Sequence, residues 1–467
     1  MAFFRILGGP GRNRTTDTRI FSPLLYQLSY QAKEQNYSRW ILKCKGDLRA
    51  APAGRQSYNG WMNNSSASSS RHHVQTAVCI VGDGAIAKTT ALAFAQAGQS
   101  VTVLAPPAPP QQPGGEASWD VRVFALNHTA NRLLSSLKVW GAMDQARIAP
   151  VDAMVVEGDG KAPGGLHFDA YGAHAETLAW IVEDRNLNQA LDAALRFAQN
   201  VHIVQGRAVA LSAGEDVAAV KLDDGSEIKS SLIVGADGAQ SWVRGQCDIG
   251  LDYRSYGQKG VVSNFECEKP HHGAAHQWFT CDQGIVALLP LPGNRVSLVW
   301  SAPDMLADTL CSEGAAALAA RLSAFAAEKL GTLTPVQPEL VRAFPLRLLR
   351  PHSLVAPRVA LVGDAAHVVH PLAGHGMNLG FSDVQDLVKA VVEREEHRSI
   401  GDERVLARYN RSRKEEVLLM QATTDGLERL FGTDFEPLRV VRNFGLNLLD
   451  KLPVVKRRLI AHALGKQ

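Results

Sequence analysis

The chain has 467 residues, 46% hydrophobic and 20% charged, which is room for two or three domains with ordinary globular cores. No run of about 18 apolar residues offers a membrane span, so a soluble or peripheral protein is expected, and six scattered cysteines without CxxC spacing suggest neither a zinc site nor a disulfide framework. The net charge of +3 is uneven, with residues 1–73 carrying +8 and the remainder −5, so the body of the protein is not a nucleic-acid binder by charge.

Residues 1–73 have no sustained strand or helix period and end in the polar run NNSSASSSRHH, so they are set apart from the fold as a non-core extension. Three readings stay open: a basic, acid-poor organellar transit segment, an over-extended start with Met62 as the true first residue, and a disordered tail.

Val78–Val81 reads as a short buried strand, followed by Gly82-Asp83-Gly84-Ala85-Ile86-Ala87, a GxGxxG/A turn. In such a turn Gly82 makes the bend, Gly84 lets a pyrophosphate approach the backbone, and Ala87 lets helix pack on strand. The helix runs on through Ala91, Leu92, Ala93, Ala95 and Ala97, Gly98 stops it, and VTVL forms the next parallel strand. This βαβ unit predicts a dinucleotide. Ala105, however, stands where a carboxylate ordinarily accepts the ribose hydroxyl, and a proline run, PPAPP, follows it. An unreplaced loss there weakens binding by about 1–3 kcal/mol. Two rival readings of the same letters are a turn without ligand and the phosphate loop of nucleoside triphosphatases. The second has Lys88 and Thr89 in place, with Ala87 at a position where that loop needs glycine.

Alternation in AVALSAG (Ala208–Gly214), AAVKL (Ala218–Leu222) and RVSLVW (Arg295–Trp300) predicts strands half covered by helices, in a mostly antiparallel sheet built from about 150–225 and 250–350. Two further strand-and-turn motifs follow. SLIVGADGAQSWVR (Ser231–Arg244) carries Asp237, read as ordering a turn between domains. RVALVGDAAHVVHPLAGHGMNLGFSDVQDL (Arg358–Leu387) places Asp364 at a strand's carboxyl end, where ligands bind on such sheets. Of His367, His370 and His375 only the first pair has helical spacing, and no carboxylate is close in the pattern a metal site requires, so the three read as packing and hydrogen-bonding residues.

These three motifs, in this order and at these separations, resemble the flavin-dependent aromatic hydroxylases built like p-hydroxybenzoate hydroxylase. The stretches DVRVFALNHTANRLLSSLKVWG (Asp120–Gly141), IVEDRNLNQAL (Ile181–Leu191), GQKGVV (Gly257–Val262), AHQWFTCDQGIVALLPLPGNRVSLVWS (Ala275–Ser301), AFPL (Ala343–Leu346) and RNFGLNLLDKLPVVKRRLIAHALG (Arg442–Gly465) are similar to the ubiquinone-biosynthesis branch. The resemblance covers essentially Val74–Gly465. It implies an α/β fold: a Rossmann-like FAD-binding domain (74–150, 226–250, 351–400), an inserted β-sheet substrate domain (151–225, 251–350), and C-terminal helices (401–467).

For the site, the resemblance implies FAD held by Gly82, Gly84 and Ala87, by Arg122 near the phosphates and ribityl chain, by an amide from Asn188 or Gln189, and by Asp237, Gly363 and Asp364. Pro371, Gly374, His375, Gly376, Met377 and Asn378 form the turn at the flavin's pyrimidine edge, with His375 where the family has glutamine. The activity implied is transfer of one oxygen from dioxygen to a polyprenylated phenol. NAD(P)H or a redox protein serves as electron donor, and no protein base is identified. Trp278, Phe279, Leu288 and Pro290 are candidate pocket residues. The C-terminal stretch interleaves Phe444, Leu448 and Leu452 with Arg442, Lys451 and Lys456, which fits either a membrane surface or docking on its own domain or a partner subunit. The expected location is cytoplasmic, peripheral on the inner membrane, or the mitochondrial matrix if the leader is a true transit segment. Membership of a biosynthetic assembly is a further expectation. Alternatives are a hydroxylase of another phenol, and a non-catalytic subunit whose flavin site has decayed at Ala105 and His375.

Overall fold

A computed structural model describes residues 73–107, 118–159, 163–370 and 374–432, together with Asn443 and Asn447. Contacts divide the chain at Asn63, and every described residue belongs to the second unit, Asn64–Lys466.

Strand β1 (His73–Val81) buries Val78, Cys79 and Ile80 completely, and it pairs in parallel with β2 (Val101–Ala105) through the helix α1 (Ala85–Gln96). Gly98, at φ +78°, turns the chain out of α1 in the left-handed region that glycine tolerates. On its other side β1 pairs in parallel with Glu227–Gly235, which in turn pairs with Val359–Leu361. The register sets Leu104, Val81, Gly235 and Leu361 in one row, so the turns after three separate motifs leave the same edge of one sheet. Ligands bind beyond the carboxyl ends of such strands.

The strand Val201–Gln205 extends this same sheet in parallel with β2, while Ala218–Leu222 pairs antiparallel with Glu227–Gly235 and carries Ala208–Ala213, also antiparallel, on its other side. Residues 201–222 were expected in the second sheet and instead complete the first. Period-2 alternation reports that one face of a strand is covered, and the first sheet covers these strands as well as the second would. The helix Asp184–Phe197 packs beside α1, where Lys88 Nζ meets Asp192 Oδ1 at 2.7 Å. A small sheet of Val123–Leu126, Ala179–Glu183 and Ala149–Val151 is formed by the chain between β2 and the helix Asp184–Phe197.

The second sheet runs Leu333–Pro335, Leu251–Cys267, Arg295–Pro303, Gly284–Leu291, Ala274–Thr280, Ala153–Glu157 and Gly165–Asp169, with Arg342–Pro351 also along Leu251–Cys267. Val261, Trp300, Val286 and Trp278 stand in one cross-strand row and bury against the helix Asp304–Leu330, where Leu318, Leu322 and Phe325 meet them. The adjacent row, Val262, Val299, Ala287 and Gln277, therefore faces the opposite side. That face, turned from the helix, is the one available to a ligand.

Two long helices, His375–Val392 and Glu403–Gly432, close the described chain, and Tyr409 donates its hydroxyl to Leu361 O at 2.6 Å. Of the basic amphipathic segment only Asn443 and Asn447 are described; the remainder lies outside the described residues, as do residues 1–72. Asn443 is buried and donates from Nδ2 to Asp159 O at 2.8 Å, and Asn447 Oδ1 accepts from Gly165 N at 2.9 Å. At these two points the segment docks on its own domain. No described helix is long and apolar enough to cross a membrane.

Candidate active site

A cavity of about 530 Å³ opens beyond the row of strand ends. Gly82 sits at φ +129°, and a Cβ there would stand 2.3 Å from Ala236 O, so the crossing of the first two motifs admits only glycine. Gly84 is different: it heads α1 with φ −72°, and a Cβ there would meet no protein atom within 4 Å because it would project into the cavity. The helix start, whose first N–H groups lack intrahelical partners, is thus open to an anion. Ala87 is fully buried and packs helix on strand, as its place in the motif predicts.

Asp237 Oδ2 accepts from Val243 N at 3.0 Å, ordering the turn, while its Oδ1 is buried without a hydrogen-bond partner among the described residues. Asp364 lines the cavity with its carboxylate accessible inside it, and among the described residues no hydrogen bond reaches that carboxylate. Burial in the cavity wall raises its pKa, with His367 and Arg122 opposing. Arg122 Nη1 stands 3.8 Å from Asp184 Oδ2. Burial likewise raises the Asp184 pKa against the pull of Arg122. Asn188 lines the cavity and donates from Nδ2 to Asp184 Oδ1 at 2.7 Å, whereas Gln189 is exposed on the helix and lines neither cavity. Of the two amides considered, the structure brings only Asn188 to the site. Helical phase explains it, since Asn188 lies one turn beyond Asp184 and Gln189 is rotated away by about 100°.

The phosphate-loop reading is overturned by the same helix. Lys88 is paired with Asp192 and Thr89 donates from Oγ1 to Ala85 O at 2.7 Å, so neither faces the cavity.

A second cavity, about 1040 Å³, adjoins the first and shares with it Arg122, Asp237, Asp364, Gly376 and Met377. Its wall is the free face of the second sheet, presenting Ala275, Gln277, Ala287, Leu289 and Val299. The four expected pocket residues are absent from it. Trp278 and Leu288 belong to the helix-covered core, Pro290 shares their parity, and Phe279 packs on Phe431 with ring centroids 4.2 Å apart. Alternation puts the neighbours of Trp278, Leu288 and Pro290 on the cavity side, whereas Phe279 shares that face with Gln277 and Ile285 but is taken up by its packing on Phe431.

At the junction, Gly374 has φ +64°, and a Cβ there would lie 3.1 Å from Ala125 Cβ. Asn378 Nδ2 donates to Ala125 O at 2.8 Å and its Oδ1 accepts from Asn127 N at 3.0 Å. Its side chain therefore clamps the strand Val123–Leu126, leaving the backbone to face a ligand. Pro371 and the His375 side chain lie outside the described residues.

Behind the Gly363-Asp364 turn lies a network that the sequence did not signal. Asp383, fully buried, accepts from Gly363 N at 2.9 Å and bonds His367 Nε2 at 2.7 Å, and its other oxygen accepts from Arg413 Nε at 2.7 Å. Burial would raise the Asp383 pKa, but His367 and Arg413 outweigh it and hold the carboxyl below its ordinary range. His370 bonds Gln258 Oε1 from Nε2 at 3.2 Å. Both histidines thus hydrogen-bond around the turn.

These features fit a dinucleotide: a helix start that only a Cβ would obstruct, an orphaned buried carboxylate oxygen, and a second carboxylate at a strand end. Changing Gly84 to Ser tests the fit, because serine is a favourable N-cap whose side chain occupies the anion's space. The expected result is FAD bound about tenfold or more weakly, with the thermal midpoint of the flavin-free protein unchanged or slightly raised. Unchanged affinity contradicts the placement.

A dinucleotide cavity opening onto an apolar chamber beneath a second sheet is the layout of a dinucleotide-dependent enzyme with an apolar substrate pocket. A family described as FAD binding domain matches residues 75–423. The ubiquinone hydroxylase UbiL of Rhodospirillum rubrum is 35% identical over 393 residues, covering 83% of this chain and 89% of that protein. The 3-demethoxyubiquinol 3-hydroxylase of Escherichia coli is 36% identical over 397 residues, covering 84% and 98%. Among solved structures, p-nitrophenol 4-monooxygenase PnpA from Pseudomonas putida has a TM-score of 0.68 at 17% identity, covering 85% of this chain and 99% of that one, a likeness of fold. The chain belongs to the FAD-binding monooxygenase family, in the branch of the ubiquinone-biosynthesis hydroxylases.

Proposed function

We propose that this chain hydroxylates the aromatic ring of a polyprenylated phenol, with FAD in the first cavity and the ring in the second. The observation that carries this reading is the junction: Asp364, Gly376 and Met377 border both cavities, so a cofactor in one meets a substrate in the other. Bound FAD supplies the redox chemistry that activates dioxygen. Asp364 and the free oxygen of Asp237 accept hydrogen bonds from the sugar and ribityl hydroxyls, and the start of α1 holds the pyrophosphate. The start of the helix His375–Val392 turns its N–H groups toward negative charge on the ring system. The walls of Ala275, Ala287, Leu289 and Val299 keep water from the reacting ring and give the prenyl chain an apolar lining. The chamber is at the upper end of the range for small-ligand pockets, which suits a substrate longer than one ring.

NAD(P)H or a redox protein delivers the electrons, and the protein works against a membrane surface or within a biosynthetic assembly, as a prenylated substrate requires. Turnover of matched phenols with and without the prenyl tail tests this function. The tailed phenol is expected to show the higher kcat/KM, and Ala287→Trp, which fills the chamber, is expected to remove that preference. Equal turnover of both phenols by the unaltered protein contradicts it. A non-catalytic subunit is the second reading, favoured by Ala105 alone, and a purified protein that takes up no flavin would support it.

A further inference from the structure

The first cavity, read as the FAD site, has no carboxylate at Ala105 to anchor the ribose. The neighbouring strand offers a different group. Ala105 pairs with Gln205, and Gly206 N donates to Ala105 O at 3.0 Å, so the chain leaving Val201–Gln205 crosses the edge where the missing acid would stand. The next residue is Arg207, which lines the cavity beside Leu104, Pro106 and Ala208.

Arg207 is exposed, and among the described residues its guanidinium makes no ion pair or hydrogen bond; only its backbone is engaged, N donating to Asp223 Oδ1 at 3.4 Å and O accepting from Asp223 N at 3.0 Å. The other cation of the lining, Arg122, already stands beside Asp184. Arg207 is therefore the one unpaired positive charge among the cavity's described lining residues. Its position assigns the half of the ligand it meets. The strand Val201–Gln205 is four places along the sheet from Val359–Leu361, roughly 20 Å from the turn that carries Asp364. The α1 start lies between them. A dinucleotide with its pyrophosphate at Gly84 and its flavin toward Asp364 brings its adenosine to Arg207.

We propose that Arg207 anchors the adenosine half of FAD in place of the carboxylate that Ala105 lacks. The polarity of the contact is reversed. A carboxylate accepts from the ribose hydroxyls, whereas the planar guanidinium donates to the ribose oxygens and adenine ring nitrogens and stacks on the base.

The test titrates the flavin-free full-length protein with FAD and with FMN, which lacks the adenosine, and compares it with Arg207→Ala. The assignment predicts that Arg207→Ala weakens FAD about tenfold, leaves FMN unchanged, and regains FAD affinity when Ala105→Glu is added. Unchanged FAD affinity overturns it, and so does an equal loss for both flavins, which would mean a general disturbance of the cavity. If the unaltered protein bound neither flavin, the proposed function would fail and this assignment with it. Loss of the Arg207 effect alone overturns only the assignment.

Discussion

Replacing Asp383 with Ala is expected to cost about 3–5 kcal/mol of folding stability, the range for a buried ion pair that loses one partner. Arg413 is 1% exposed and Asp383 0%, so the guanidinium left behind cannot turn to solvent and keeps as carboxylate partners only the partly exposed Glu416 and Asp386 on Nη1, which places the cost toward the lower end of that range. The same change removes the acceptor of Gly363 N and of His367, which together fix the turn presenting Asp364. Flavin retention should therefore fall along with the denaturation midpoint. A double variant, Asp383→Leu with Arg413→Met, removes both charges and leaves neither one stranded. It is expected to be at least about 1 kcal/mol less damaging than the sum of the two single changes. Strict additivity in chemical denaturation would show that the two side chains do not form a coupled pair.

Acidification from pH 6.5 to about 4 is expected to destabilise the fold through two buried histidines. Burial lowers the pKa of His276, with Lys329 adding to it, from 6.5 to about 4, and burial with Arg254 lowers that of His370 to about 4 as well. Between those values the unfolded chain binds protons that the folded chain refuses, so stability falls as the pH drops, by about 1.4 kcal/mol per pH unit for each histidine. The full loss approaches about 3 kcal/mol for each at the bottom of the window. Asp184 and Asp364, held above the ordinary carboxyl range by burial, protonate earlier in the folded state and offset part of the loss near pH 4. Urea midpoints measured across this range should fall steadily, and His276→Gln with His370→Gln should flatten the curve. A slope that survives in the double variant would place the titration elsewhere.

The parts of the site that could be read from the sequence are those built by local spacing. Gly82, Gly84 and Ala87 occupy one turn, and each meets the steric demand its position implies: a backbone crossing, an open cavity, a packed helix. Asp364 is legible for the same reason, as a carboxylate where an apolar strand gives way to a small-residue turn. What could not be read depends on which surfaces meet in space. Ala208–Ala213 and Ala218–Leu222 alternate correctly, but alternation does not name the sheet that covers them. Trp278 and Leu288 look like pocket residues by size, yet the sheet face they share with Trp300 packs on a helix, and the smaller Gln277 and Ala287 face the ligand chamber. Helical phase was available as a signal that would have chosen Asn188 over Gln189. Asp383 and Arg413 lie 30 residues apart on two helices and carried no local signal, since charged residues on amphipathic helices are ordinarily solvated.

Oxygen transfer to an aromatic ring is expected where the two cavities meet. The most direct measurement is a single turnover of the flavin-loaded protein, reduced without air and then mixed with a prenylated phenol and ¹⁸O-labelled dioxygen. This protocol does not depend on the natural electron donor. Mass spectrometry of the lipid extract is expected to show a ring-hydroxylated product carrying one labelled oxygen, lost in Asp364→Ala. A hydroxylated product without label, or consumption of dioxygen with no change in the phenol, would contradict the account.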